Sequence, residues 1–312
     1  MKVSVLVKTF NHEQCIGQAL ESVLCQQADF SWELLVAEDC STDGTREVVR
    51  AFGDRHGERV RLLLRERNLG PVGNFLDALA HCRGEYVALL DGDDYWTSPR
   101  KLQRQVDLLD ARPGVSACTH DAMIVDSAGN PTGRRYCSAR LPHELTLERV
   151  LEGNPVPACG LVFRRMLVVR LPDWFRALPF TDWALHLLLL EHGPIVYEPR
   201  CDAAYRQHAG GMWTALSERR RLALRIESYR AFERHFGERG RRIIRRRMAR
   251  LYVELALAHA RAGEMVPMRR NLRTALATAG PSLPRLLASR SVRKLVAFLL
   301  SRVAREGAGR PA

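Results

Sequence analysis

The sequence predicts an α/β fold with a mainly parallel central sheet and flanking helices, followed by an all-helical C-terminal region. Two observations carry that expectation. In the first third of the chain, short β-branched apolar runs alternate with helical apolar periodicity, the signature of right-handed βαβ crossovers. Charge then divides the 312 residues: positions 1–215 hold 24 Lys/Arg against 28 Asp/Glu, while 216–312 hold 24 against 7. A near-neutral α/β domain over 1–215 and a basic helical region over 216–312 follow, each suited to different partners. The 46% apolar content supports a substantial core and excludes a disordered chain.

Taken in order, Val3 to Val7 is a buried first strand, and Lys8 to Glu13 a polar turn. Ile16, Ala19, Leu20, Val23 and Leu24 then fall at the spacing of an amphipathic helix. Trp32 to Ala37 is a second strand ending in Glu38–Asp39, and the turn Ser41–Gly44 can cap a helix over Thr45–Phe52. A third strand covers Val60–Leu64, and Asn68–Pro71 turns into a helix through Asn74, Leu76, Ala78 and Leu79. The fourth strand, Tyr86 to Leu90, ends in Asp91–Gly92–Asp93–Asp94. Beyond it a helix covers Lys101–Leu109, short strands are expected at Val115–Thr119 and Met123–Val125, and Ser127–Asn130 forms a hairpin turn. Residues 131–160 are broken by Pro and Gly and match no periodicity. Gly160–Phe163 reads as a strand followed by Arg164 and Arg165. Thr181–Asp182–Trp183 opens an apolar helix to Leu190, Ile195–Tyr197 and Ala203–Tyr205 are closing strands, and Arg206–Gly211 is a loop.

In parallel sheets ligands bind beyond the carboxyl ends of the strands. The polar strand ends at Thr9/Asn11, Asp39 and Asp91/Asp93 should therefore converge on one crevice. Three carboxylates at Asp91–Asp94 repel one another unless solvent, protonation or a hard cation compensates them, and oxygen donors around one Gly suit Mg²⁺ or Mn²⁺. A solvated acidic turn is the alternative. No GxGxxG follows the first strand and no GxxxxGK[ST] occurs anywhere, so the usual glycine-rich phosphate cradles are missing. Taken alone, Asp39 could cap the following helix, Asn68 could serve its turn, and Asp182 could cap the helix it opens. Arg164–Arg165 reads as a phosphate contact or a surface pair, and Trp96 as a sugar-stacking wall or packing. The eight cysteines include no CxxC pair, which leads us to expect reduced thiols in a cytosolic protein. No run of about 18 apolar residues occurs, so neither a transmembrane span nor a secretion signal is expected.

Five motifs in order resemble family 2 glycosyltransferases of the GT-A fold, the Rossmann-like inverting nucleotide-sugar transferases. They are VSVLVKTFNHE at 3–13, ELLVAEDCSTDGT at 33–45, RNLGPVGNF at 67–75, GEYVALLDGDDYWTSPRKL at 84–102 and TDWALHLLLLEHGPIVYEPRCDAAYRQH at 181–208. The resemblance implies a metal-dependent, hexosyltransferase-type enzyme acting in polysaccharide or glycoconjugate biosynthesis. It implies that Thr9, Asn11 and Glu13 line a nucleotide pocket, that Asp39 reads the base, and that Asn68 lies near the donor. Asp91 and Asp93 would contact ribose, diphosphate and a Mg²⁺ or Mn²⁺ ion, with His208 reaching the same ion or the diphosphate. Asp182 falls where the family places its catalytic base. The implied partners are a nucleotide-diphosphate sugar and a glycan or lipid-linked acceptor. A catalytically silent sugar-nucleotide-binding or membrane-associated scaffold protein is the competing reading.

In the basic region, Leu222, Ile226, Tyr229 and Phe232 mark one helix and Ile243, Ile244, Met248, Leu251, Tyr252 and Leu255 the next, with Gly237 and Gly240 between them. Val292, Leu295, Val296, Leu299, Leu300 and Val303 form a last apolar stripe flanked by Arg293, Lys294, Arg302 and Arg305. Such a helix, over residues 291–306, can lie on an anionic membrane or pack on its neighbours. The first option implies a cytoplasmic protein held peripherally at the inner face of the plasma membrane. Nucleic acid is the weakest candidate partner, because the basic charge comes without a recognised motif or interleaved aromatics.

Overall fold

A computed structural model describes the backbone of residues 1–308 and the side chains through residue 301. The chain divides into two compact units, Met1–Ala209 and Gly210–Ala312. The change in charge near residue 216 falls just inside the second.

The first unit begins β1 (Val3–Thr9), α1 (Ile16–Leu24), β2 (Trp32–Glu38), α2 (Thr45–His56), β3 (Val60–Leu64), α3 (Gly70–His81) and β4 (Tyr86–Asp91). It continues through β5 (Tyr95–Trp96), α4 (Lys101–Ala111), β6 (Ala117–Val125), β7 (Pro131–Arg135), β8 (Glu144–Leu145), α5 (Leu147–Leu151), β9 (Val162–Arg164), α6 (Asp173–Arg176), α7 (Asp182–Leu189) and β10 (Ile195–Arg206). The sheet runs β3-β2-β1-β4-β9-β6-β10-β5, with β7 on β6 and β8 on β10. β1, β2, β3 and β4 pair parallel, as do β6 and β10, while β9 lies antiparallel between β4 and β6. The predicted mixed α/β architecture is therefore present, and β9 is the insertion that the alternation does not reveal.

Apolar side chains on both faces of the central strands explain why parallel strands form here. Val3, Val5 and Val7 of β1 pack with Ile16, Leu20 and Val23 of α1, and Tyr86, Ala88 and Leu90 of β4 lie in the same core. Each such side chain stabilises the fold by about 1.5–3 kcal/mol when fully buried. The β1–β4 register sets Lys8 beside Asp91, and the β1–β2 register sets Thr9 beside Glu38. Register alone thus delivers the polar strand ends to one edge. The opposite edge is pinned by a buried polar network. Ser4 Oγ donates to Glu33 Oε1 at 2.6 Å, Arg61 donates to Glu33 Oε2, and the Gly84 amide donates to Ser4 Oγ. A Cβ on Gly84 would lie 2.3 Å from the Ser4 amide nitrogen, so only glycine fits this close backbone approach.

Several elements differ from their predicted limits. α2 extends to His56 and α4 to Ala111, and α7 begins at Asp182 itself. The two short strands expected at 115–119 and 123–125 form one continuous β6. His120 and Asp121 interrupt the apolar pattern, yet both are buried, and Asp121 Oδ1 accepts from the Ala122 and Cys137 amides. The two closing strands likewise join as β10 across register shifts between Glu198 and Ala203. Arg164 and Arg165 are neither a phosphate contact nor a surface pair. Arg164 donates to the Val115, Leu109 and Arg112 carbonyls and to the Tyr86 hydroxyl, and Arg165 donates to the Gly84 carbonyl, at the far end of β4 from the acidic tip.

The second unit contains α8 (Glu218–Phe236), α9 (Glu238–Arg261), α10 (Met265–Ala279), α11 (Leu283–Leu287) and α12 (Arg290–Ala308). Gly237 separates α8 from α9 with φ 48°, but Gly240 is buried inside α9 rather than in the connection. On α12 the apolar stripe splits: Leu295 is buried, whereas Val296 and Leu300 are 48% and 65% exposed. Arg302, Val303 and Arg305 lie outside the residues whose side chains are described. No helix among the described residues is long and apolar enough to cross a membrane.

Candidate active site

The acidic tip after β4 is held by its neighbours. Gly92 is required there, since a Cβ would meet Thr9 Oγ1 at 2.6 Å and His12 Nδ1 at 2.8 Å. The Gly92 amide donates to the Lys8 carbonyl, which folds the tip back over the end of β1. Asp91 forms a 2.9 Å ion pair with Lys8 Nζ. Asp93 Oδ2 accepts from His208 Nε2 at 3.1 Å and lies 3.8 Å from His12 Nε2. Burial pushes the Asp93 carboxyl up, but the His208 hydrogen bond and the nearby His12 outweigh it, and its pKa falls below the usual carboxylate range. The same bond raises the pKa of His208.

Asp94 is buried and turned away from the tip. Its Oδ1 accepts from the Arg206 amide at 2.9 Å, and burial together with the charges of Asp93 and Asp91 raises its pKa well above normal. It holds the loop. Arg206 completes that role by donating to the Asp93 carbonyl, the Ser127 carbonyl and Gln18 Oε1. Trp96 is packing rather than a wall: its Nε1 donates to the Cys159 carbonyl and the Lys101 ammonium sits 3.9 Å from its ring centroid.

The predicted nucleotide-side residues gather at the ends of β1 and β2, with more structural duty than the motifs suggest. Asn11, at φ 57°, accepts from the Thr42 amide and donates to the Thr42 hydroxyl, while Glu13 accepts from the Gly44 amide. Both tie the first loop to the second. Thr9 is buried, with its Oγ1 3.2 Å from His12 Nδ1. Asp39, 3% exposed, accepts from the Leu69 amide at 2.8 Å, and Asn68 donates to the Asp39 carbonyl at 3.0 Å. Asp39 and Asn68 therefore form one unit. Asp39 does not cap α2; Asp43 accepts from the Thr45 amide there instead. Burial raises the Asp39 pKa, opposed by the Leu69 and Gly70 amides.

Asp182 is the first residue of α7. Its Oδ2 accepts from Asn154 Nδ2 at 2.9 Å, and Asn154 Oδ1 accepts in turn from His186 Nδ1 at 2.8 Å. Burial raises the Asp182 pKa; the Trp183 amide and Lys8 pull it down, and Asp91 pushes it up. Lys8 thus lies within electrostatic reach of Asp182 as well as Asp91 and Asp93. Tyr136 and Tyr205, whose rings meet edge to face at 5.1 Å, also feel the Asp182 charge.

Lys8, His12, Arg206, Asn154 and His186 are not singled out by motif reasoning. For Lys8 a signal existed, because a lysine in an otherwise apolar buried strand demands a counter-charge. The others act through partners far away in sequence. For a cation, no cluster of three or more His, Cys, Asp or Glu among the described residues is arranged as a cage. Asp93 and His208 supply two donors, a number that fits a metal completed by substrate phosphate oxygens and water. Asp91 is engaged by Lys8 instead. All eight cysteines are free thiols.

A family model for glycosyl transferase family 2 matches residues 4–170. An uncharacterized protein of Mycobacterium tuberculosis is 33% identical over 225 residues, covering 70% of this chain and 63% of its own length. The chain thus spans less than two thirds of that relative. The Escherichia coli protein WfgD, named as a UDP-Glc:alpha-D-GlcNAc-diphosphoundecaprenol beta-1,3-glucosyltransferase, is 37% identical over 193 residues, covering 62% of this chain and 71% of its own. Among solved structures, Staphylococcus aureus TarS in complex with UDP-GlcNAc superposes with a TM-score of 0.55 at 19% identity, covering 88% of this chain and 91% of that one. The mannosyltransferase PcManGT from Pyrobaculum calidifontis, in complex with GDP-Man and Mn²⁺, gives 0.52 at 19% identity, covering 97% and 87%. At that identity the likeness establishes a shared GT-A fold.

Proposed function

The chain belongs to glycosyl transferase family 2, and on that premise we propose that it moves a sugar from a nucleotide-diphosphate donor to an acceptor hydroxyl with inversion, in polysaccharide or glycoconjugate assembly. One observation carries the reading. Two carboxylates sit in divergent settings: Asp93 accepts from His208 and lies beside His12, which keep it ionised, whereas the buried Asp182 accepts from the neutral Asn154 amide and is raised by burial. Such divergence separates a charge-binding group from a proton acceptor. Asp182 takes the proton of the acceptor hydroxyl as it attacks the anomeric carbon. Lys8 screens Asp91, while Asp93, together with His208 once its Nε2 gives up the proton it shares with Asp93, would hold a divalent cation. The chemistry such a cation would supply there is neutralisation of charge on the departing diphosphate. A nitrogen donor suits Mn²⁺ better than Mg²⁺. Asp39 and Asn68 recognise the nucleoside, with Thr9, Asn11 and Glu13 shaping the pocket.

Thermal-shift measurements with UDP-, GDP-, dTDP- and CMP-sugars, with and without Mn²⁺, test the donor class. One nucleotide should raise the melting temperature by several degrees, since a ligand at 100 times its Kd adds about 2.7 kcal/mol, and Mn²⁺ should enlarge the rise. A flat response to all four sinks the reading.

A lipid-linked acceptor and a peripheral position on the inner face of the plasma membrane are proposed alongside. Exposed Val296 and Leu300 next to Arg293 and Lys294 support a surface that meets anionic lipid. Full-length protein should float with anionic liposomes, and protein lacking residues 291–312 should float less. Equal flotation rules out α12 as the anchor.

A further inference from the structure

We propose that Asn154 and His186 are positioning residues that hold Asp182 in its proton-accepting orientation. This rests on Asp182 being the base of the transfer reaction. Asp182 and His186 lie one turn apart on the same face of α7. Asn154 reaches between them from the loop after α5, and Trp183 Nε1 donates to the Val150 carbonyl, fastening α7 to α5.

The direction of each bond follows from the first. An ionised carboxylate only accepts, so the Asn154 amide turns its NH₂ to Asp182 and its carbonyl to His186. His186 must then carry its proton on Nδ1. Burial drives its pKa down to about 3, so the ring is neutral at any working pH, and this tautomer is the one that fits. The His186 side chain is 0% exposed and its Nε2 has no hydrogen-bond partner. Set among Leu185, Leu187 and Leu188, an imidazole with one unsatisfied nitrogen is a worse packing residue than another leucine. What it supplies is the Nδ1–H that prevents the Asn154 amide from flipping.

The charged and titratable groups facing Asp182 are Lys8 on β1, Asp91 on β4, Tyr136 after β7 and Tyr205 on β10. Lys8 is committed to Asp91 at 2.9 Å. Asn154, beside the Trp183 amide, is therefore a neutral side-chain donor that fixes the carboxylate without neutralising it. As the acceptor oxygen bonds to the anomeric carbon and the bond from that carbon to the diphosphate breaks, the acceptor's proton passes to the Asp182 carboxylate that Asn154 holds in place.

The test compares Asn154→Ala, His186→Leu, His186→Asn and Asp182→Asn in the full chain, reading kcat, donor KM, the nucleotide-induced melting shift and the pH–rate profile. Asn154→Ala should lower kcat by about 10²-fold, the size of effect expected from a misplaced reacting group, with donor KM and the melting shift unchanged. Its acidic limb should move to higher pH, because a hydrogen bond that favours the charged carboxylate is gone. His186→Leu should lower kcat by less, and His186→Asn, whose amide N–H can stand where Nδ1–H stood, should recover it. Parental kcat with an unmoved limb in Asn154→Ala overturns the proposal. So does joint loss of kcat and donor binding with an unmoved limb, which marks a structural role. If His186→Leu does not fold, Asn154→Ala alone decides. Full activity in Asp182→Asn removes the premise and the proposal together, whereas an inactive Asp182→Asn beside a parental Asn154→Ala removes the positioning role alone.

Discussion

Asp182→Asn should reduce sugar transfer by about 10³-fold, the middle of the range for losing a general base, and leave the donor-induced melting shift intact. The amide oxygen of the variant can still accept from Asn154 Nδ2, so the local hydrogen bond survives. What disappears is the ability to take a proton. Burial raises the Asp182 pKa above its ordinary value, so the ionised form is less favourable in the folded chain than in the unfolded one. The sign follows: with a raised folded pKa, Asp182 favours the fold below its unfolded pKa, and this contribution is lost as pH rises through the folded value. At neutral pH the charged carboxylate weakens the fold, and the neutral variant should melt no lower than the parent. Activity shows the opposite dependence. Protonation silences the base, so the acidic limb of the parental rate profile should lie above the ordinary carboxylate range near 3.9. Parental turnover in Asp182→Asn, or an inactive variant that has also lost its nucleotide response, defeats the assignment.

Much of this site is legible in the sequence because its acids follow strands directly. Asp39 and Asp91 each terminate an apolar run, and parallel pairing then fixes where such residues meet. The β1–β4 register sets Lys8 against Asp91. Other features depend on contacts that no local pattern encodes. The strand at β9 is readable, but its antiparallel place between β4 and β6 is set by its pairing partners, and the continuity of β6 is hidden because buried Asp121 finds its donors in the Ala122 and Cys137 amides. The polar stretch inside β10 reads as a loop for the same reason, since its register shifts let polar residues remain in a strand. Asn154 sits in a region with no readable pattern, and His186 reads only as one more position in an apolar helix. Both gain meaning from a bond across 32 residues. The motif residues Asn11 and Glu13 show the converse: their spacing marks the site, but their visible side-chain bonds join two loops.

Asp93→Ala should reduce transfer by about 10³-fold, the upper end of what removal of one group stabilising developing charge costs, and abolish the Mn²⁺-dependent part of the donor-induced melting shift. The carboxylate is the only hard oxygen donor at the tip hydrogen-bonded to a second candidate ligand, His208, at 3.1 Å. Asp91 cannot substitute without breaking its ion pair with Lys8, and Asp94 is turned into the protein to accept from the Arg206 amide. Removing Asp93 leaves His208 and His12 facing each other, ring centroids 6.5 Å apart, without the anion that joins them. The proposed cation site would then lack its carboxylate, and the charge compensation a cation would supply to the leaving group would be lost. The nucleoside contacts proposed for Asp39 and Asn68 would remain, so a smaller metal-independent shift should persist. This pattern distinguishes the two carboxylates. Asp182→Asn should keep the whole Mn²⁺-dependent shift and lose turnover, whereas Asp93→Ala should lose both. A full Mn²⁺-dependent shift in Asp93→Ala would place the cation elsewhere, and equal loss of the shift in both variants would mean that Asp182 and Asp93 serve one charge rather than opposite sides of a transfer.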